Sequence, residues 1–104
     1  MRTMTSDEFM ALDDQNTVIL DVRRDNDYEA STEVVPGSTW KDPSKMDDWV
    51  NTVSKEDPVV VYCVRGGGVS NSVVDRLQSE GIKARFIEGG IEALKTAGAA
   101  LSSK

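Results

Sequence analysis

The chain has 104 residues, enough for one domain, and its 18 Asp and Glu against 12 Lys and Arg give a net charge of −6. That balance argues against nucleic acid or an anionic membrane as partner, since both reward positive charge, and no stretch approaches the ~20 apolar residues of a membrane span. One cysteine and no histidine exclude an internal disulfide, the common zinc sites and the Cys–His and Ser–His–Asp nucleophile systems.

The opening "MRTMTSDEFM" has no apolar core of the kind a signal peptide needs, so a cytoplasmic location is expected. Thr5 followed by Glu8 is a capping-box pattern, and Phe9, Met10 and Leu12 supply an apolar face for a short helix from Ser6 to about Asp13. "TVILDVR" is a compact β-branched run and predicts a buried strand ending near Val22. "RDNDYEASTEVVPGSTW" is polar with a Pro36-Gly37 turn and reads as mostly loop. In "MDDWVNTV", Met46, Trp49, Val50 and Val53 fall on one helical stripe.

"VVVYC" is the strongest strand signal, apolar at nearly every position, as in a parallel strand covered on both faces. "SNSVVDRLQSEGI" predicts a helix, with Val73, Val74 and Leu77 at helical spacing and Gly81 as its stop. "KARFIEGG" is a further strand and turn, "IEALKTAGAAL" a last helix, and the terminal "AGAALSSK" is expected to fray. Strands alternating with helices indicate right-handed βαβ units in an open α/β sheet, within a single domain over residues 1–104.

Chemistry points to the junction after "VVVYC". In open α/β folds, sites form beyond the carboxyl ends of the strands, and Cys63 lies there, on what reads as the central strand. Gly66, Gly67 and Gly68 can take positive φ without steric cost, so their amides can turn inward as an anion-binding nest at the start of the Ser70 helix. Amide donors and a helix N-terminus favour the thiolate, which is the nucleophilic form. The competing reading is plainer: Cys63 is a small buried hydrophobe and the glycines a turn. Neither the Walker phosphate loop nor the G-x-G-x-x-G fingerprint is present.

"VILDVR", "DYE", "VPGS", "VVVYCVRGGGVSNSVVDRLQSEGI" and "ARFIEGGIEAL", in this order and spacing, resemble a single-domain rhodanese-like sulfurtransferase, from about Thr5 to Leu94. The resemblance implies a mostly parallel five-stranded sheet flanked by helices on both faces. It implies that Cys63 takes a sulfane sulfur from thiosulfate or polysulfide as a persulfide and yields it to a thiophilic acceptor, such as cyanide or a thiol, a protein thiol included. No cofactor or metal is implied. Val64, Arg65, Gly66, Gly67, Gly68, Val69 and Ser70 would hold the persulfide and the anionic donor, with Arg65 as the cation. Asp21 and Arg23 match the family's Asp-x-Arg and read mainly as structural charges, Arg23 being a lesser candidate for the pocket. Trp40 falls near the rim, and Trp49 packs a helix on the core.

Two departures stand out. Where many relatives carry Gly-His before an Ile-Pro-Gly-Ala turn, this chain has "STEVVPGS" with two extra residues after Tyr28, and the loop from Cys63 to Ser70 is one residue longer than in compact sulfurtransferases. Longer loops occur in phosphatases and arsenate reductases of the same fold. These remain the alternatives, together with a non-catalytic sulfur-carrier or binding module.

Overall fold

The computed structural model describes residues 3–12, 16–65 and 67–103. Five strands form one sheet: β1 (Thr3–Met4), β2 (Val18–Asp21), β4 (Ser38–Trp40), β5 (Val59–Tyr62) and β6 (Ala84–Ile87). Their order is β1-β6-β5-β2-β4 and every pairing is parallel. This is the expected α/β architecture, with β5 at its centre.

Strand periodicity explains why β5 is apolar throughout. Val59 and Val61 face one core with Leu20, Phe86, Trp49 and, from α4 (Gly68–Ser79), Val73, Val74 and Leu77. Val60 and Tyr62 face the other, with Met4, Ile87 and, from α5 (Gly90–Thr96), Ile91 and Leu94. Helices thus cover both faces. The stripe read from "MDDWVNTV" also lands on the first core: Trp49 and Val50 are buried there, with Met46 and Val53 packed against them. That segment is one short helix, α3 (Met46–Trp49), between two 3-10 turns.

At the other end of the chain, Thr5 closes the capping box of α1 (Ser6–Met10). Its Oγ1 accepts from the Glu8 amide at 3.1 Å, and Glu8 Oε1 accepts from the Thr5 amide at 2.9 Å. The helix ends at Met10 with Ala11 as its C-cap, short of the expected end at Asp13, which itself lies outside the described residues.

Two expectations need correction. The stretch read as mostly loop contains α2 (Asp25–Ala30), β3 (Glu33–Val34) and β4. α2 has no apolar stripe and is held from outside, its Tyr28 ring stacking on Trp40 at 4.9 Å. The end expected to fray instead forms β7 (Ser102–Ser103), antiparallel to β3, with Leu101 packed against the second core. Among the described residues no helix is long and apolar enough to cross a membrane.

Candidate active site

The carboxyl end of β5 delivers Cys63 one residue past the sheet, 6% exposed and in contact with the first core. Its backbone is gripped from the other side. The Cys63 carbonyl accepts from the Ile91 amide at 3.0 Å and the Val64 carbonyl from the Glu92 amide at 3.1 Å, so the first turn of α5 holds the start of the loop. This approach requires Gly90. Its φ is +59°, and a Cβ there would collide with the Cys63 carbonyl oxygen and the Val64 carbonyl group. Gly89 beside it sits at φ +78°. Sequence reasoning treated this pair only as a turn.

A hollow of about 330 Å³ opens at Cys63. Of the expected site residues, Cys63, Val64, Arg65, Gly67, Gly68, Val69 and Arg23 line it, and Gly66 lies outside the described residues. Ser70 differs from expectation. It is fully buried in the first turn of α4, off the wall of the hollow, and its hydroxyl has no hydrogen-bond partner among the described residues. Neither Gly67 nor Gly68 has a positive φ, so the nest conformation expected of them is not formed there. The helix begins at Gly68 rather than Ser70, with Gly67 as its N-cap at φ −95° and ψ −139°.

Arg24 and Asp27, which sequence reasoning did not single out, also line the hollow. Their signal is three-dimensional, since the start of α2 meets the loop after β5 only in the folded chain.

The floor beside the hollow is a buried polar network. Asp21 receives the Arg23 backbone amide at 3.0 Å and its guanidinium at 2.7 to 3.1 Å, while Arg23 Nη2 also donates to the Glu33 carbonyl. Burial pulls the Arg23 pKa down, but hydrogen bonding to Asp21 and the Asp21 charge together raise it above its ordinary value. The Tyr62 hydroxyl donates to Asp21 Oδ2 at 3.1 Å and accepts from the Val35 amide, so Ser38 Oγ, 3.0 Å away, is its second donor. Burial pushes the Tyr62 pKa up to about 12 against those two donors. Arg23 is therefore a structural cation first, with Nε and Nη2 engaged by Asp21 and Glu33.

Trp40 does not line the hollow. Its Nε1 donates to the Arg23 carbonyl at 2.9 Å and fixes the backbone that leads to Arg24. Trp49, as expected, packs on the core, its Nε1 donating to the Asp42 carbonyl. A larger hollow of about 700 Å³, between α1 and the C-terminal segment, is lined largely by apolar residues such as Phe9, Ile19 and Leu94, with no charged side chain and no cysteine among the described residues of its wall. Among the described residues no cluster of acidic, Cys or His side chains could hold a metal ion.

The model of the rhodanese-like domain matches residues 5–97. The chain belongs to the rhodanese-like domain family. A search of curated proteins returns no match. Among solved structures, a rhodanese-like domain protein from Staphylococcus aureus is 30% identical with a TM-score of 0.81, the match covering 100% of this chain and 99% of that one. A rhodanese-related protein from Thermoplasma volcanium shares the fold at a TM-score of 0.85 and 20% identity, over 98% of both chains. A protein from Rhodopseudomonas palustris named a possible tyrosine phosphatase is 27% identical, with a TM-score of 0.79 over 98% of this chain and 85% of that one. In this rhodanese-like domain Cys63 is the single thiol, at the carboxyl end of the central strand.

Proposed function

We propose that this rhodanese-like domain is a sulfurtransferase in which Cys63 carries a sulfane sulfur from thiosulfate or polysulfide to a thiophilic acceptor. With thiosulfate, the Cys63 thiolate attacks the outer sulfur. The Sγ–S bond forms, the donor's S–S bond breaks with its electron pair leaving as sulfite, and the persulfide anion remains, so three negative charges stand on each side of the step. Cyanide or a second thiolate, including that of a protein, then takes the outer sulfur as thiocyanate or as a new persulfide and restores the Cys63 thiolate. Neither step calls on a metal or cofactor, and sulfite leaves as a stable anion without a general acid.

The observation that carries this reading is the lining of the Cys63 hollow. Cysteine phosphatases place an arginine six residues after the nucleophile, where its planar fork binds two phosphate oxygens. That position here is Val69, an apolar residue on the wall of the hollow that also packs against the core. The exposed cations of the hollow are instead Arg65, two residues after Cys63, and Arg24. A hollow with no arginine at that position suits sulfur transfer better than phosphoryl or arsenate chemistry.

The test is intact mass after incubation with thiosulfate. The wild type should gain one sulfur atom, and Cys63→Ser should gain none while keeping its fold. Sulfur transfer to cyanide should accompany the adduct, with negligible hydrolysis of aryl phosphates. No adduct, or efficient Cys63-dependent phosphatase turnover, would overturn the reading.

A further inference from the structure

We propose that Arg24 is a second cation of the donor site and that, with Arg65, it selects donors carrying two negative charges; this rests on the sulfurtransferase reading above. Arg24 is the N-cap residue of α2, and its side chain makes no cap hydrogen bond. That position favours Ser, Thr, Asp or Asn, and a cation is electrostatically misplaced at a helix N-terminus. An arginine there gives the helix no side-chain cap. What it gains is position, on the wall of the Cys63 hollow, where a second hollow of about 540 Å³ adjoins along Arg24, Gly68 and Val69.

The backbone at this point is held firmly. Trp40 hydrogen-bonds the Arg23 carbonyl, Tyr28 stacks on Trp40, and Arg23 is locked to Asp21. The Arg24 side chain itself is exposed and has no hydrogen bond or ion pair among the described residues, and the same holds for Arg65. Asp21 neutralises Arg23. The charges left to face a donor are therefore Arg24 and Arg65, opposed by Asp27, in a chain whose net charge is −6. Two guanidinium groups around one nucleophile make a local positive focus against that acidic background. Such a focus rewards a dianion more than a monoanion of the same shape, since Coulomb attraction scales with ligand charge.

Thiosulfate and methanethiosulfonate test this, because both present an outer sulfur on a sulfonyl group and differ by one negative charge. The readout is the ratio of kcat/KM for the two donors, with cyanide as acceptor. Arg24→Gln should lower the thiosulfate preference about fivefold, mainly through the thiosulfate KM, the size expected of one partly exposed charge contact. Arg24→Lys should keep the preference within about twofold, because it keeps the charge. Asp27→Asn should shift it the other way, and added salt should shrink the wild-type preference. An unchanged ratio in Arg24→Gln, or an equal loss with both donors, would overturn the proposal while leaving the sulfurtransferase reading intact. If the wild type takes no sulfur from either donor, both fall together.

Discussion

Two glycine groups meet at Cys63, one in its own loop and one at the start of α5. Gly67 and Gly68 line the hollow, have no positive φ, and a Cβ on either would meet nothing within 4 Å. Gly89 and Gly90, over twenty residues away in sequence, hold φ of +78° and +59°, and at both a Cβ would strike a neighbour. The pair nearer Cys63 is thus the more replaceable. The remote pair sets where the Cys63 backbone lies, because only glycine lets the α5 amides reach the Cys63 and Val64 carbonyls.

Substitution by alanine should separate the two groups. Gly90→Ala should have the largest effect, losing about 2–5 kcal/mol from strained backbone plus forced overpacking and, in whatever fraction folds, slowing persulfide formation at Cys63. Urea unfolding and the thiosulfate mass shift measure the two losses. Stability close to wild type would mean that α5 can dock without the close approach. Gly89→Ala comes next, at about 1–3 kcal/mol, because its Cβ meets the Ala93 Cβ at 2.6 Å. Removing that methyl with Gly89→Ala/Ala93→Gly should restore only part of the loss, the positive φ remaining. Gly68→Ala should change stability by less than about 1 kcal/mol, in the stabilising direction, since alanine is the better helix former. A large loss there would return conformational importance to the loop glycines.

What was legible in the sequence follows the same division between local and distant causes. β5 could be read from its own residues because four consecutive buried positions leave an apolar run, and the capping box of α1 because its partners lie three residues apart. α2 could not, since "DNDYEA" has no stripe and is secured by a stack with Trp40. β1, β3 and β7 are two residues each, too short for any period to show. Cys63 was visible as a lone thiol at a strand end. Arg24 was not, because its relation to Cys63 is created by packing between segments some forty residues apart. Positive φ, expected of the loop glycines, is absent at Gly67 and Gly68 and present at the pair that had looked like a simple turn.

The phenol of Tyr62 links the fold to alkali. Unfolded tyrosine ionises near pH 10, whereas in the folded chain Tyr62 holds its proton up to about 12. Unfolding therefore releases a proton between those values, so its stabilising contribution is complete below about pH 10 and is lost as the pH rises toward 12. Tyr62→Phe should flatten that decline, at about 1–3 kcal/mol lower stability near neutrality, because the Val35 amide and Asp21 each lose a partner. The proton whose loss weakens the fold sits one residue before Cys63. In strong alkali, the fold and the reactivity proposed for Cys63 should fail in a single transition rather than in turn.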